Sequence, residues 1–405
     1  MYLEKFYLIV TLVLLTVGLV ACGGETTTSK PPSEATATPE PAEEPTAVPT
    51  KVLAEIPEAA AERGFFLLPE FHEFAPEEEQ LMNDFLKVVQ SEPVPLSLEL
   101  EVPLQIAFIF PSLEPGDGWA RLNVTIRKRL DDLDVPYEVT EFLIEMGEHE
   151  QQTAQIEEVL AGTFDYVVIG PSEYELQKAN LERLAQQVPT LVMNVVNPFV
   201  DSYGTDKMAL THVGFDHSVG AKVLCEWVIN ETGGEGTFAL VHFQPGLIDD
   251  QRSGVFADCV QKNSNMELVD EYEANGERDK AFIGANVIIN NHPEVTMIHA
   301  GNTAVALGIL DALKEQDLTD KVLLNGWGGG ADELTAIIAG EIDVTAFRVN
   351  DDWGVSVAEA IKADIEGKQV PVVIAATIKG IDYRLSAEEI AQETDYAFRY
   401  SGKLE

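Results

Sequence analysis

From residue 104 onward, short apolar runs typical of buried β-strands alternate with stretches that have a helical pattern. The apolar runs lie at residues 105–110, 166–170, 190–196, 238–243, 296–300 and 322–325, and the helical stretches include residues 120–133, 152–160, 220–231, 255–263 and 303–314. A repeated strand–helix order predicts parallel sheets with helices on both faces. Because these strands are too many for one sheet of ordinary size, the sequence predicts an α/β fold of two doubly wound, parallel-sheet lobes.

The predicted lobes are joined by a hinge of several segments. A polar, glycine-containing turn at residues 213–216 marks the first crossing between lobes, and further crossings are expected near residues 349–352 and close to the strand at 372–378. These crossings assign residues 104–214 and 349–372 to an N-terminal lobe, and residues 215–348 and 373–405 to a C-terminal lobe. Two lobes connected in this way enclose a cleft that can close over a ligand.

The N-terminal hundred residues precede this pattern and divide into three parts. Residues 1–21 combine a short apolar core with small residues before Cys22, which predicts a signal peptide; the alternative is a plain membrane anchor. The Leu-Val-Ala-Cys sequence resembles a bacterial lipobox, which implies lipidation of Cys22. Residues 22–50 are rich in Pro, Thr and Glu and predict a disordered tether.

Residues 51–103 form an aromatic-rich extension. Phe65, Phe66, Phe71 and Phe74 are followed by a helical pattern, which predicts a segment that docks on the main fold through its aromatic side chains. A partner-binding surface is the alternative interpretation.

Composition limits the classes of function. The net charge is −43, which argues against nucleic acid or an anionic membrane surface as a partner and fits a secreted, solvated protein. The three cysteines are too few for a disulfide scaffold. Cys225 and Cys259 fall in helical patterns and are predicted to be buried free thiols, with a Cys225–Cys259 disulfide as the alternative. No set of residues has the spacing of a metal site.

Two neighbouring strand ends carry residues suited to a ring-shaped ligand. The run at residues 322–330 ends in Asn-Gly-Trp-Gly-Gly-Gly with Trp327, and the next apolar strand ends in Arg348. Open α/β sheets bind ligands at the carboxyl ends of their strands. A tryptophan face stacks on an apolar ring face, and a guanidinium binds hydroxyls or an anion through two hydrogen bonds. The alternatives are a core tryptophan and a surface ion pair.

Other candidates follow the same logic. Asn194 and Asn302 also end apolar strands, where an amide without a partner is unfavourable. Trp119 lies at the start of a helical stretch and either contacts a ligand or packs on the sheet. Thr303 is expected to contact a ligand or to cap the helix that follows it, and the two roles are compatible. Arg252 either faces a closed cleft or forms a surface ion pair with Asp249 or Asp250 beside it.

A competing motif lies in the same glycine run. Residues 326–331 fit G-x-G-x-x-G/A after a strand and before a helix, which is the fingerprint of a dinucleotide site in an NAD-dependent enzyme. A bulky tryptophan in that tight turn is unusual, and an exported chain meets little cofactor. No nucleophile, base and orienting residue form a recognisable catalytic set.

Several motifs resemble a known family, the type I periplasmic binding proteins of the ribose group. The resemblance spans residues 65–401, and its general motifs are Val-Gly-Phe-Asp-His (213–217), the segment 249–256 around Arg252, and the Asn-Thr-Ala-Val-Ala-Leu-Gly run at 302–308. Within that group, the residues at 325–330, Phe-Arg-Val-Asn-Asp-Asp (347–352) and Ala-Phe-Arg-Tyr-Ser (397–401) are most similar to LuxP-type proteins, which bind autoinducer 2.

The resemblance implies roles for individual residues. Arg252 and Arg348 match two arginines that face the negative charge of autoinducer 2 when it is captured as a borate diester. The other matching positions are Trp119, Asn194, Asn302, Thr303 and Trp327. The sequence differs from the family's motif before Trp119, where this chain has Glu114 and Gly116 in place of a glutamine and a serine. A carboxylate at Glu114 accepts hydrogen bonds from hydroxyls but repels a borate anion.

The expected function is therefore ligand capture without catalysis and without a cofactor other than a borate carried by the ligand. The expected ligand is autoinducer 2 or a related sugar-like compound, bound between two lobes. The closed form is expected to meet a membrane partner, either a sensor kinase or an ABC permease. The alternative is the sugar-binding component of an ABC importer for a ligand of the ribose or galactose type, and a secreted NAD-dependent enzyme is the third hypothesis.

Overall fold

The computed structural model describes residues 55–111, 118–145 and 147–402. The predicted signal peptide, the lipidation of Cys22, the tether and Glu114 lie outside these described residues. Within the described ranges, no helix combines the length and the apolar composition needed to cross a membrane.

The first sheet has six parallel strands in the spatial order β11-β5-β4-β3-β1-β2. Their bounds are β1 Leu104–Pro111, β2 Tyr137–Ile144, β3 Tyr166–Ile169, β4 Thr190–Met193, β5 Thr211–Phe215 and β11 Val373–Ala376. Alternate side chains of β1 enter two cores: Phe108 and its neighbours at 106 and 110 pack on one face, and those at 107 and 109 pack on the other. Both faces are buried because helices cover them.

The second sheet repeats this plan with one antiparallel edge strand. Its six strands lie in the order β12-β10-β9-β8-β6-β7, and only β12 runs antiparallel to its neighbour. Their bounds are β6 Thr237–His242, β7 Glu267–Glu273, β8 Met297–Ala300, β9 Leu323–Gly328, β10 Val344–Arg348 and β12 Ile378–Asp382. Two doubly wound sheets form two lobes, so the predicted fold class is confirmed.

Helices cover both faces of each sheet. Those of the first lobe are α4 Gly118–Asp132, α5 His149–Ala161, α6 Lys178–Ala185 and α13 Asn350–Ile365. Those of the second lobe are α7 His217–Thr232, α8 Leu247–Asp249, α9 Val255–Asn263, α10 Arg278–Asn291, α11 Thr303–Glu315, α12 Ala331–Ile338 and α14 Ala387–Ala397. A π-helical turn, Asp250–Gly254, joins α8 to α9. Polar side chains cap the N-termini of several helices. At the start of α7, the Asp216 carboxylate accepts from the Ser218 amide at 3.0 Å.

The chain crosses between the lobes three times, after β5, after β10 and between β11 and β12. At the hinge, the Val349 amide donates to the Thr377 carbonyl at 3.0 Å, so two of the crossings are hydrogen-bonded to each other. The boundary predicted at residue 373 requires a correction. Strand β11 pairs in parallel with β5 and belongs to the first lobe, because its side chains complete the core of that sheet; the third crossing therefore follows Ala376.

The extension packs against the first lobe close to the hinge. It forms helices α1 Glu58–Arg63, α2 Leu68–Phe74 and α3 Pro76–Val89. The side chains of Phe66, Phe71 and Phe74 are buried together with Val196 and Val372 of the lobe. The Glu78 carboxylate of α3 accepts from the Val372 amide at 3.0 Å. The extension thereby holds the chain immediately before β11.

The two cysteines of the second lobe form a disulfide, so the prediction of buried free thiols is wrong. Cys225 lies in α7 and Cys259 in α9, with their Cα atoms 6.1 Å apart. The two helices pack side by side, which brings together half-cystines separated by 34 residues in the sequence. The bond ties the two helices that flank Arg252.

Candidate ligand-binding site

A cavity of about 620 Å³ lies between the lobes, at the carboxyl ends of the parallel strands. This volume falls within the range of about 300–1,000 Å³ that is usual for small-molecule sites. All the predicted binding residues that the structure describes line this one cavity: Trp119, Asn194, Arg252, Asn302, Thr303, Trp327 and Arg348. The seven residues come from six separate segments, and the fold brings them together.

Trp119 forms part of the first-lobe wall. Its indole lies across the end of β3, where a Cβ on Gly170 would come within 2.2 Å of the ring. Its ring packs 5.0 Å from that of Trp353 and 5.5 Å from that of Phe110, centroid to centroid. Glycine at position 170 is therefore required for the tryptophan to reach the cavity, and Trp119 both packs on the sheet and lines the site.

Trp327 lines the cavity from the second lobe, although only 1 % of its surface is exposed. Its ring lies against the core near His217 and His299. The indole Nε1–H is buried, with no hydrogen-bond acceptor among the residues that the structure describes. Trp327 therefore belongs to the core and also borders the cavity, and its contact with a ligand stays a prediction.

The glycine run after β9 has backbone amides that are already hydrogen-bonded within the protein. The buried Glu333 carboxylate of α12 accepts from the amides of Trp327, at 3.2 Å, and Gly329, at 2.9 Å, and also from the hydroxyl of Thr345. Burial raises the pKa of this carboxyl. Since Glu333 occupies the backbone donors that a dinucleotide phosphate needs, the fingerprint at 326–331 is not a dinucleotide site.

Arg252 reaches the cavity from the π-helical turn and is only 4 % exposed. Its Nη1 donates to the Gly301 carbonyl at 3.0 Å, and its guanidinium lies 5.1 Å from the ring centroids of both Phe243 and Trp327. No described carboxylate forms an ion pair with it, so the surface ion-pair interpretation is wrong. Burial and the nearby charge of Arg348 hold the pKa of this guanidinium well below its usual range.

Arg348 ends β10 and enters the cavity over the ring of Phe215, whose centroid is 5.4 Å from the guanidinium carbon. Cβ atoms on Gly118 and Gly328 would lie 3.3 Å and 2.8 Å from its Nη2. Gly328 has φ +111°, a conformation that side chains rarely adopt. Two glycines thus leave room for the guanidinium, and its charge acts on that of Arg252 in the same cavity.

The polar residues at the other strand ends have distinct roles. The Oδ1 of Asn302 accepts from the Val305 amide at 2.7 Å, so Asn302 caps α11 and the capping role suggested for Thr303 is wrong. The Thr303 hydroxyl instead donates to the Trp327 carbonyl at 2.8 Å. Asn194 has a left-handed backbone with φ 67°, which asparagine tolerates better than most residues.

The sequence did not predict Asn350, which lines the cavity, or His217, which contacts Arg252 from the protein side. His217 is fully buried; its Nδ1 accepts from Arg252 Nε at 3.4 Å and its Nε2 lies 3.3 Å from the Asn194 carbonyl. Burial and the charges of Arg252 and Arg348 hold its pKa well below the usual range, so the imidazole is neutral. Asn350 follows a strand end, as Asn194 and Asn302 do, and that pattern was a usable signal.

The lobes also touch beside the cavity. Leu247, from α8 of the second lobe, packs in the core of the first. The Nε2 of Gln251 donates to the Oδ1 of Asn197 at 3.1 Å, and the Nδ2 of Asn197 donates to the Phe66 carbonyl of the extension at 2.9 Å. This buried chain connects the extension, the first lobe and the residue that precedes Arg252.

We expect Gln251→Ala to raise the dissociation constant of a cleft ligand. A neutral hydrogen bond contributes about 0.5–1.5 kcal/mol, and losing one that forms between the lobes reduces the fraction of closed protein. Calorimetric titration of the variant measures the effect, with the exposed Gln186→Ala as the matched control. Equal affinity of Gln251→Ala and the unmodified chain would show that this contact does not support closure.

These features define a two-lobed α/β protein with a cavity of ligand size between its lobes. Residues 106–369 match the model of the periplasmic binding protein domain family, and the chain belongs to that family. Membership implies a location outside the cytoplasm. The protein is a binding protein and not an enzyme, since its relatives are binding proteins of transport systems.

Individual relatives are distant in sequence. The chain is 22 % identical over 232 residues to the ribose import binding protein RbsB of Bacillus subtilis, an alignment covering 56 % of this chain and 72 % of the relative. It is 27 % identical over 169 residues to the D-allose-binding periplasmic protein of Escherichia coli, covering 41 % and 54 %. A solute-binding protein of Actinobacillus succinogenes with bound D-allose shares the fold at a TM-score of 0.63 and 18 % identity, covering 73 % of this chain and 100 % of that one.

Proposed function

We propose that the protein binds a small polyhydroxylated ring compound in the cleft and delivers it to an ABC importer in the membrane. The observation that carries this proposal is the convergence of aromatic, amide, hydroxyl and guanidinium groups from both lobes on one cavity of ligand size. Such a mixture suits a ring with apolar faces and hydroxyl-bearing edges. The similarity to ribose- and allose-binding relatives supports the same class of ligand.

The mechanism is a shift between open and closed forms. Trp119 and Asn194 contribute from the first lobe, and Arg252, Asn302, Thr303 and Trp327 from the second, while Arg348 lies next to the hinge. A ligand that contacts both lobes binds the closed form more tightly than the open form and so increases its population. The importer then recognises the closed form. In this proposal, lipidated Cys22 and the segment after it hold the protein at the outer face of the membrane.

A second candidate is autoinducer 2, captured as its borate diester by a protein of LuxP type. The specific observation in its favour is that Arg252 and Arg348 line one cavity, where the positive charge of each guanidinium disfavours the charged form of the other. An anion bound between them would relieve that repulsion. A membrane sensor kinase is then an alternative partner to the permease. The carboxylate of Glu114 argues in the opposite direction if it approaches the ligand.

A thermal-shift panel tests both candidates. The protein is heated with D-ribose, D-allose, other pentoses and hexoses, autoinducer 2 alone, and autoinducer 2 with borate. The importer proposal predicts a rise in melting temperature with at least one neutral sugar, because a ligand that binds only the folded state stabilises it. Stabilisation only by the sample containing both autoinducer 2 and borate would instead support the second candidate. No stabilisation by any compound of the panel would contradict both.

A further inference from the structure

Asn350 borders the cavity, and its side-chain oxygen is buried without a hydrogen-bond partner among the described residues. It is the first residue of α13, is 5 % exposed and lines the cavity, and its Oδ1 is buried with no hydrogen-bond partner. Among the described residues, none forms a hydrogen bond with its side chain. A buried amide without a partner is unfavourable by a few kcal/mol at most and is rarely retained without a reason.

The two residues after Asn350 are engaged elsewhere in the protein. The Asp351 carboxylate accepts from the Thr125 hydroxyl at 2.7 Å and from the Ser401 amide at 2.9 Å. The Asp352 carboxylate accepts from Arg399 Nη2 at 2.6 Å. Both carboxylates tie α13 to other elements, and neither lines the cavity. Asn350 is therefore the member of this polar run that is available to a ligand.

The chemistry of the site indicates what Asn350 can recognise. Arg252 and Arg348 offer only donors, and the unpartnered Nε1 of Trp327 is also a donor. A side-chain amide has both an acceptor and a donor, and a half-turn of its terminal torsion exchanges their positions. A ligand hydroxyl needs both, whereas a carboxylate or phosphate oxygen accepts only. An acceptor beside Arg348 thus complements a hydroxyl.

We propose that Asn350 is a specificity-determining residue that accepts a hydrogen bond from a ligand hydroxyl at the hinge side of the cavity. The inference rests on the proposed function, because it assumes that a ring compound with hydroxyls occupies this cleft. It adds a requirement: the ligand carries a free hydroxyl next to the group that Arg348 binds. Compounds that lack that hydroxyl leave the amide unsatisfied and bind more weakly.

The test compares Asn350→Ala with the unmodified chain by calorimetric titration. The probes are D-ribose, D-allose, and autoinducer 2 with borate. Loss of one neutral hydrogen bond predicts a dissociation constant roughly 3- to 10-fold higher for Asn350→Ala. Asn290→Ala, an exposed asparagine near the end of α10, is the matched control and should bind as the unmodified chain does. Thermal unfolding of the unliganded variants checks that each of them folds.

A second variant separates hydrogen bonding from charge. Asn350→Asp retains oxygen acceptors but adds a negative charge beside Arg348, so a neutral sugar should lose less affinity than in Asn350→Ala. An anionic borate complex should lose more. Equal affinity of Asn350→Ala and the unmodified chain for a probe that binds would overturn the role of Asn350 alone. If the unmodified chain binds none of the three probes, the proposed function fails and this inference fails with it.

Discussion

Replacing Arg252 by alanine is expected to weaken ligand binding by about 1.5–3 kcal/mol, the range for a hydrogen bond to a charged group. That loss corresponds to a roughly 10- to 150-fold higher Kd. The guanidinium is buried, is held by the Gly301 carbonyl and His217, and forms no ion pair with a described carboxylate. Arg348→Ala should have an effect of similar size. Calorimetric titration measures both, and Arg183→Ala, which removes an exposed ion pair with Glu157, is the control.

Arg348→Ala should weaken binding without a comparable loss of stability in the unliganded protein. The charge of Arg348 lowers the pKa of Arg252, which means that each charge destabilises the other in the folded state. Removing Arg348 relieves this repulsion, which offsets the loss of the guanidinium's own contacts, so the melting temperature of the unliganded variant is expected to change little while binding falls. A variant that melts earlier and still binds as tightly as the unmodified chain would show that Arg348 is a structural residue.

Replacing Cys225 and Cys259 together by serine is expected to lower the free energy of unfolding by about 2–4 kcal/mol. The disulfide closes a segment of 34 residues and joins α7 to α9, so its removal frees the unfolded chain and loosens the packing between these helices. Urea denaturation of the oxidised protein, of the reduced protein and of the double variant measures the effect.

Reductant serves as the internal control for this prediction. It should destabilise the unmodified chain by about the same amount as the double substitution and should leave the double variant unchanged. Equal stability of the oxidised and reduced proteins would mean that the bond does not form or does not contribute. Ligand affinity should also fall in the reduced protein, because the turn that carries Arg252 continues directly into α9.

The residues of the cavity that lie at the ends of strands could be predicted from the sequence. Trp327, Arg348, Asn194 and Asn302 each follow an apolar run, and parallel strands bring their carboxyl ends to one edge of a sheet. Asn350 obeys the same rule and was overlooked. Arg252 and Trp119 required the resemblance to the family, because a turn and a helix start carry no comparable positional signal.

Contacts between distant segments account for what the sequence did not predict. Nothing in the local pattern shows that Glu333 turns back onto the amides of the glycine run, or that His217 bridges Arg252 and the Asn194 carbonyl. The disulfide likewise depends on the packing of two helices, and each cysteine taken alone fits a buried thiol. The boundary near residue 373 was misplaced for the same reason, since strand pairing assigns β11 to the first sheet.

A crystal structure of the protein with a compound that stabilises it tests the central claim most directly. The account predicts electron density for the ligand in the cavity between the lobes, with oxygens of the ligand within hydrogen-bond distance of both Arg252 and Arg348. It also predicts a ring face or edge against Trp119 or Trp327. Density for the ligand at another place, with this cavity empty, would contradict the account.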